Sequence, residues 1–425
     1  MTVAEISPRM TIAGASDQPD PRRWIIYPAI SLVLIAPLVW QLYWPAARGL
    51  DVTGQQIGRD FINTWAGPQL AFSGRLGLLF DFDAYQAAIS ALFGQPLPFH
   101  AWSYPLFCLP LFWPLAQLPY FVALALWTFG LFAAFAAMTL SRIEQSMRPL
   151  ALALLVLAPA TLINGLSGQN GFLTACLLIG GTLLLDRRPV LAGILFGLLT
   201  YKPHLGVAVP FVLLALGAWR TIAAATATAI LLIAGSVALF GLEAWRSYFQ
   251  VTAGLQVRVL EHFSDFGPLM VTSVMVSVAR TFGVSLQAGL AAQIAVAVPV
   301  IALAVWAVRK TSDPAQRAFV LVTATLLATP YAMVYDFCAL TAVMAWRLFR
   351  PQPLGAVRSA IILVAWLMPI GAIYLNKFDL GLAPLAVLAV FAIAVRDAVA
   401  EAPYRRWVPF GRAPALSGPS AAPSR

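Results

Sequence analysis

The chain has 425 residues, of which 60% are hydrophobic and only 10% are charged, and its net charge is +10. Soluble domains are about 45–50% apolar and about 25% charged, and the mean hydropathy of +0.82 departs from them in the same direction. This composition excludes a soluble enzyme, a disordered chain, a coiled coil and a disulfide scaffold. It indicates an all-α polytopic membrane protein, because lipid leaves backbone polar groups no partner outside the chain.

The apolar runs predict a central membrane domain, residues 22–396, between a disordered cytosolic tail, 1–21, and a second cytosolic tail, 397–425. A span needs about 20 apolar residues, or roughly 17 when it is short. On that basis the sequence predicts about twelve spans, near 24–44, 119–140, 149–164, 171–185, 189–201, 204–219, 221–241, 286–308, 317–334, 337–349, 358–375 and 380–396.

Two long segments, 46–104 and 242–285, are not apolar enough to span and are expected to form outward-facing loop modules. Stretches 60–73 and 83–93 of the first module read as short amphipathic helices at the membrane surface. If the N-terminus is cytosolic, 19 Lys and Arg residues fall on the cytosolic side and eight outside. This asymmetry follows the positive-inside rule, and it predicts an integral protein of the cytoplasmic membrane with polar loops facing outward.

The positive charge does not predict a nucleic-acid partner. The basic residues lie in short clusters between apolar runs, and no basic face or strip with interleaved aromatic residues could follow a phosphate backbone. Membrane lipids are the expected surroundings of these clusters.

Asp60 is the first candidate for chemistry, in the block Gly58-Arg59-Asp60-Phe61-Ile62-Asn63 that follows the first span. Aspartate is a favoured helix N-cap, so a capping role is one interpretation. The other is a carboxylate at the membrane–water boundary that acts as a general base and accepts the proton of an attacking hydroxyl.

A second acidic motif, Asp81-Phe82-Asp83, also stands just before a predicted helix. In sugar transferases such a pair can hold a metal ion bound to a nucleotide diphosphate, but helix capping is the simpler interpretation. No other metal site is predicted, because the three histidines are far apart in sequence and Cys108, Cys176 and Cys338 are not spaced as metal or disulfide pairs.

Aromatic and amide side chains supply candidates for sugar binding. His100, Trp102 and Tyr104 precede a proline at the membrane entry, where they form either an interfacial anchor or a stacking platform for a pyranose ring. Gln169 and Asn170 join two short spans in a Gly-rich segment. They form either a tight turn or amide contacts to sugar hydroxyls.

Lys202 is a cation on the predicted outer side, deep in an apolar region, and His204 follows it closely. Charges in such positions are costly and usually functional. Lys202 is therefore either a lysine that extends to the interface or, with His204, the counter-charge of a lipid phosphate. Tyr331 and Asp336 flank another span end, where they either cap helices or contact the sugar or the acceptor.

Several short blocks then stand in order between about residues 58 and 340. They are Gly58-Arg59-Asp60-Phe61, Leu79-Phe80-Asp81 with Tyr85, Trp102-Ser103-Tyr104-Pro105, Gly168-Gln169-Asn170-Gly171, the stretch from Leu184 through Arg187-Arg188-Pro189 and Ala192-Gly193 to Lys202-Pro203, and Ala328-Thr329-Pro330-Tyr331 with Tyr335-Asp336. Through these blocks the chain resembles glycosyltransferase family 87, the polyprenol-phosphate-mannose-dependent mannosyltransferase-like group of the GT-C superfamily.

The resemblance implies a GT-C-type bundle, a polyprenyl-phosphate-linked sugar as donor, and a catalytic base in the first outer loop, which corresponds to Asp60. We assign the donor phosphate to Lys202, His204 and Arg59. The sugar and acceptor candidates are Asn63, His100, Trp102, Tyr104, Gln169, Asn170, Tyr331 and Asp336.

The sequence thus predicts an inverting hexosyltransferase that moves a hexose, with mannose as the leading candidate, to a lipid or glycan acceptor. No cofactor is expected, and phosphate is a good enough leaving group for cationic contacts to replace a metal ion. Two alternatives stay open. One is a transporter of polyprenyl lipids or solutes, which would place polar groups at the bilayer midplane. The other is a non-catalytic subunit of envelope-glycan assembly.

Overall fold

The computed structural model describes residues 24–261, 269–350, 352 and 354–400. Within these ranges the chain is helical and forms no strand. The helices, numbered α1 to α17 in chain order, are Ile26–Tyr43, Phe61–Leu70, Phe82–Phe93, Cys108–Ala116, Tyr120–Leu140, Arg148–Val156, Pro159–Leu166, Gly171–Leu184, Pro189–Leu198, Val209–Ala215, Trp219–Glu261, Val274–Phe282, Leu286–Val308, Pro314–Ala328, Cys338–Leu348, Ala356–Asn376 and Ala383–Ala400.

Local sequence explains many helix ends. Pro159, Pro189 and Pro314 open α7, α9 and α14, because the first helical position needs no N–H donor and suits the fixed φ of proline. Gly94 and Gly283 end α3 and α12 in the left-handed conformation, which glycine adopts without steric cost. The many short helices therefore follow from where proline and glycine stand.

The described residues contain six helices long and apolar enough to cross a membrane, or seven if a bent pair counts as one span. The bent pair is Gln145–Val156 with Pro159–Leu166, which meet at 54°. The chain is therefore an all-α polytopic membrane protein. A helix occupies each of the twelve predicted positions, but several have fewer than 18 residues, and a crossing by all twelve stays a prediction.

Three ion pairs lie at one end of the helix bundle, which we call the ion-pair end. Each joins an aspartate to an arginine at the end of a neighbouring helix: Asp186 with Arg317 at 2.9 Å, Asp397 with Arg347 at 2.6 Å, and Asp313 with Arg350. Asp186 follows α8, Asp313 precedes α14, and Arg317 lies near the start of α14. Arg347 lies at the end of α15, Arg350 follows it, and Asp397 lies near the end of α17.

The opposite end of the same helices, the site end, carries the candidate residues. Helix α8 starts there after residues 167–170, α9 leads there to Lys202, and residues 329–337 join α14 to α15 there. Helices α8, α14 and α15 each carry an ion-pair residue at their other end. The candidate residues and the ion-pair residues are therefore separated by the length of these helices. The bundle thus brings distant sequence motifs to one end.

The first outer module differs from its prediction in one of its two helices. The stretch 60–73 is not a surface amphipathic helix, because eight of the ten residues of α2 are buried and α2 packs against α4. Helix α3 is amphipathic as predicted, and buries Tyr85 and Ile89. Gly67 explains the burial of α2: a Cβ there would collide with the ring of Trp102.

A break in α11 coincides with the predicted start of the second module at residue 242. Helical residues run from Trp219 to Glu261, but the backbone of Gly241, whose φ is +80°, is not helical, so a separate helical segment starts within the predicted module. That this module lies outside the membrane stays a prediction. Residues 262–268 of this module lie outside the described ranges, as do the predicted tail 1–21 and most of the tail 397–425, of which α17 includes the first four residues.

Candidate functional site

The backbone before α2 makes a turn that sets the position of Asp60. Gly58 has a φ of +89° and Arg59 has a φ of +37°, a conformation that is uncommon for a residue with a Cβ. After this turn the Asp60 N–H donates to the carbonyl oxygen of Ser167 at 3.2 Å. The turn therefore joins the segment that contains Asp60 to the segment between α7 and α8.

The Asp60 side chain is half-buried and does not cap α2, although Asp60 stands at the N-cap position. Its Oδ2 accepts a hydrogen bond from Nε2 of Gln169 at 2.7 Å. The capping interpretation of Asp60 is therefore wrong. A hydrogen bond to a charged acceptor is one of the stronger kinds in proteins, so Gln169 fixes the direction of the carboxylate.

The segment that contains Gln169 is itself held by close contacts. Gly168 has a φ of +59°, and a Cβ there would collide with the Gly58 carbonyl oxygen. From the other side, Nε1 of Trp127 donates to the carbonyl oxygens of Gly168 and Gln169 at 3.1 and 3.3 Å. Only glycine permits this approach, which explains why the predicted turn contains Gly168.

Asn170 and Tyr104 continue the polar cluster beside Asp60. Nδ2 of Asn170 donates to the Tyr104 hydroxyl at 2.9 Å. Burial, and after it the nearby Asp60 carboxylate, raise the pKa of Tyr104, so the phenol stays neutral and can donate a hydrogen bond. Asn170 is 1% exposed, and its Oδ1 has no hydrogen-bond partner among the described residues. A buried amide oxygen without a partner is costly and fits a polar ligand.

Lys202 and Asp336 form a buried ion pair, with Nζ and Oδ1 3.0 Å apart. Oδ2 of Asp336 accepts the Met333 N–H at 2.9 Å, and the Lys202 ammonium lies 4.9 Å from the centre of the Tyr335 ring. Lys202 therefore does not extend to the interface as a lone cation. The sequence identified both residues as polar candidates but did not predict that they pair.

Gly171 links this ion pair to the Asp60 cluster. A Cβ at Gly171 would collide with the Tyr335 carbonyl oxygen, and the Gly171 N–H donates to Oδ1 of Asn164 at 2.6 Å. The segment 168–171 thus lies between Asp60 on one side and residues 335–336 on the other. The two acidic residues belong to one cluster.

Tyr331 and His204 lie at the Asp336 side of the cluster. Their rings meet edge to face with centroids 5.6 Å apart. Burial raises the pKa of Tyr331, and the carboxylates of Asp336 and then Asp60 add to this effect. Nε2 of His204 is buried and has no partner among the described residues. His204 thus offers a second polar atom for a ligand, near the Lys202–Asp336 pair.

Two other candidates are occupied by partners away from this cluster. Arg59 forms an ion pair with Asp51 at 2.7 Å, lies 4.0 Å from the centre of the Tyr43 ring and donates to the Leu42 carbonyl. Oδ1 of Asn63 accepts the Tyr85 hydroxyl at 3.0 Å. Arg59 thus joins the first module to α1, and Asn63 joins α2 to α3 within the module.

His100 and Trp102 do not form the expected sugar platform. Nδ1 of the His100 ring lies 2.7 Å from the Pro98 carbonyl oxygen, and the backbone N–H of His100 donates to Oε1 of Gln86. Trp102 is 1% exposed and packs on Gly67. With no exposed ring face, Trp102 can support Tyr104, whose ring centroid is 5.5 Å away, but a sugar cannot stack on it.

The second acidic motif caps a helix. Oδ1 of Asp81 accepts the Ala84 N–H at 2.9 Å at the start of α3, while Asp83 is exposed. Throughout the part of the chain that the structure describes, no three His, Cys, Asp or Glu residues come together as a metal site would require. Metal independence itself stays a prediction.

Sequence reasoning did not find every residue that builds the cluster. It did not single out Trp127, which holds the Gln169 segment from within an apolar helix. It also missed Thr174, whose hydroxyl lies 2.5 Å from that of Tyr201 beneath Asn170. A tryptophan or threonine inside an apolar run gives no local signal of such a role.

Fold and site together define a class: a helical membrane protein whose polar cluster, centred on one half-buried carboxylate, lies at one end of the bundle. The model of glycosyltransferase family 87 matches residues 102–330, more than half of the chain, and the protein belongs to that family. The match includes Tyr104, Gln169, Asn170 and Lys202, whereas Asp60 precedes it. No curated protein and no solved structure gives a match.

Proposed function

We propose that this glycosyltransferase moves a hexose from a polyprenyl-phosphate donor to an acceptor hydroxyl, with inversion, on the outer side of the cytoplasmic membrane. The observation that carries the proposal is the Asp60–Gln169 contact of 2.7 Å. It holds one oxygen of a half-buried carboxylate and leaves Oδ1 to accept the proton of the attacking hydroxyl. General-base catalysis of this kind contributes about 10²–10⁴ in rate.

The reaction is a single displacement at the anomeric carbon. The acceptor oxygen forms a bond to that carbon while the bond from the carbon to the phosphate oxygen breaks, and the proton moves to Asp60. The polyprenyl phosphate leaves with the bonding electrons, and Asp60 later returns its proton to water. Attack from the face opposite the phosphate inverts the configuration. No acid needs to protonate the leaving group, in contrast to a two-carboxylate glycoside hydrolase.

Lys202 and His204 are the proposed contacts of the donor phosphate. An ammonium group has three N–H donors, and the ion pair with Asp336 uses one of them. The unpartnered Nε2 of His204 can supply a further contact. Preorganised donors and charges aimed at the departing phosphate would stabilise its developing charge. Arg59 contributes only indirectly in this proposal, because Asp51 and Tyr43 hold its side chain.

Asn170, Tyr104 and Tyr331 are the proposed contacts of the sugar and the acceptor. Tyr104 lies near Asp60, Tyr331 lies near both carboxylates, and Oδ1 of Asn170 lacks a partner among the described residues. Such an amide oxygen can accept a hydrogen bond from a sugar hydroxyl, whose binding would remove the cost of leaving it unpaired.

The test uses the purified full-length chain in liposomes with radiolabelled polyprenyl-phosphate-mannose and a lipid extract as acceptor source. Asp60→Asn should reduce transfer at least about a hundredfold. Asp83→Asn is the matched control, because Asp83 is an exposed aspartate of the same module. Equal turnover by wild type and Asp60→Asn would refute the base role. If transfer occurs only from another polyprenyl-phosphate hexose, the proposed donor sugar is wrong and the proposed mechanism still holds.

Two further readouts separate the alternatives. Movement of the labelled lipid across the bilayer without cleavage of its sugar–phosphate bond would support a transporter. Activity that appears only when another membrane protein is added, and that survives Asp60→Asn, would support a non-catalytic subunit.

A further inference from the structure

A groove far from the Asp60 cluster runs between α13 and α17. Its volume is about 740 Å³, and nearly all of its wall is apolar. This volume is typical of pockets that bind small molecules, about 300–1,000 Å³. The wall residues come from 295–306 of α13 and 388–400 of α17. The groove is therefore bounded by the later halves of two helices that run in the same direction.

The groove ends at the ion-pair end of the bundle. Asp397, next to the groove residue Arg396, pairs with Arg347, and Asp313, just after α13, pairs with Arg350. From Ala295 to Trp306 the wall rises about 16 Å, at about 1.5 Å per residue. This is close to half of a hydrocarbon core of about 30 Å, so the groove extends through one leaflet.

Two cations stand where the groove meets this end. Arg396 lines the groove and is exposed. Lys310 lies two residues beyond α13, with its ammonium 5.7 Å from the centre of the ring of Trp306, which also lines the groove. Neither cation forms an ion pair with a described residue. The three aspartates of this end, Asp186, Asp313 and Asp397, are already paired with other arginines.

We infer that this groove binds one anionic diacyl phospholipid of the leaflet at the ion-pair end. One of its two acyl chains would lie along the apolar wall between α13 and α17, and its phosphate headgroup would lie between Arg396 and Lys310. The two cations favour an anionic lipid over a neutral one, because a neutral lipid could fill the groove but would leave both cations without a counter-ion. One cation beside the membrane surface raises the affinity for an anionic lipid by a factor of about five.

The experiment measures lipid binding to the detergent-purified full-length chain by native mass spectrometry, with phosphatidylglycerol and phosphatidylcholine of identical acyl chains. We expect one phosphatidylglycerol to bind at least about tenfold more tightly than phosphatidylcholine. The double variant Arg396→Gln/Lys310→Gln should weaken it by roughly twenty-fivefold, about five for each cation. Arg187→Gln/Arg188→Gln is the matched control, because it removes the same charge from exposed residues that do not line the groove.

Two variants test the apolar wall separately from its charge. Ala392→Trp and Ala295→Trp fill the groove from opposite walls, at exposed positions, and each should abolish the bound lipid with an unchanged thermal midpoint. Ala302→Trp is their control, because Ala302 is exposed on α13 but outside the groove.

Three results would overturn the inference. They are equal affinity for the two phospholipids, retention of phosphatidylglycerol by both groove-filling variants, and tighter binding of polyprenyl phosphate than of phosphatidylglycerol. Since the readout is lipid mass, it does not depend on sugar transfer.

Discussion

Nε2 of Gln169 lies 2.7 Å from Oδ2 of Asp60, although 109 residues separate the two in sequence. The contact exists because Gly168 allows its segment to approach the Gly58 carbonyl, and because Trp127 holds that segment from behind. The orientation of the proposed base is therefore determined by a residue of another loop. Variants of Gln169 should affect catalysis in a way that variants of other buried glutamines do not.

Gln169→Ala should lower kcat for sugar transfer by about tenfold to a hundredfold with little change in KM. A hydrogen bond to a charged group contributes about 1.5–3 kcal/mol, and about 1.4 kcal/mol corresponds to a factor of ten in rate. Steady-state kinetics in liposomes measure this change. In an Asp60→Asn background, the same substitution should have no further effect on kcat.

Gln316→Ala is the control for the Gln169 variant. Gln316 is also buried and donates to the Ala394 carbonyl near the opposite end of the bundle. The Gln316→Ala variant should be destabilised by a comparable amount, and its kcat should be unchanged. If both variants lower kcat equally, the loss at Gln169 is structural and Gln169 does not position Asp60.

Gly168→Ala should destabilise the protein strongly. A left-handed backbone costs a residue with a Cβ roughly 1–2 kcal/mol, and the added Cβ would also collide with the Gly58 carbonyl oxygen, at about 1–3 kcal/mol for overpacking. Gly94→Ala shares a positive φ, but its Cβ would meet no atom within 4 Å. The thermal midpoint in detergent should fall clearly further for Gly168→Ala. Equal shifts would show that the contact between the two segments contributes nothing.

Lys202→Met should cost about 3–5 kcal/mol of stability, because it leaves Asp336 as an uncompensated buried charge. The double variant Lys202→Met/Asp336→Asn should recover most of that stability, since asparagine keeps an oxygen for the Met333 N–H. If Lys202 binds the donor phosphate, sugar transfer stays low in the double variant. Recovered transfer would assign Lys202 a purely structural role.

Cysteine labelling in intact cells checks the predicted orientation. Asp83→Cys lies on the module that contains the proposed active site, and Arg187→Cys lies beside the Asp186–Arg317 pair at the other end. A membrane-impermeant maleimide should modify Asp83→Cys from outside and leave Arg187→Cys unmodified until the cells are opened. The reverse pattern would place the Asp60 cluster on the cytosolic side and contradict the proposed donor.

A chelator should leave transfer unchanged if the Lys202 and His204 contacts stabilise the leaving phosphate. Transfer is measured before and after dialysis against chelator, with added Mg²⁺ and Mn²⁺ as the restoring arm. A loss that these ions restore would contradict the expected metal independence.

Local chemistry was sufficient to predict several features of this protein. Apolar runs bounded by proline and glycine predicted where helices form, because a backbone in lipid must satisfy its own hydrogen bonds and a helix does so within one segment. The blocks around Asp60, Gln169 and Lys202 also indicated the family that the chain belongs to. The helix of residues 60–73 was misjudged, because its burial depends on Trp102 and α4, which sequence periodicity cannot reveal.

The sequence by itself determined the membrane class, the helical architecture and which polar residues stand near helix ends, since these follow from composition and from the backbone preferences of single residues. Only the tertiary structure decided how those residues pair: Asp60 with Gln169, Lys202 with Asp336, and Arg59 with Asp51. The physical reason is that pairing depends on distances between segments. Those distances are set by packing contacts such as Gly168 on Gly58 and Gly171 on Tyr335, which join residues far apart in the chain.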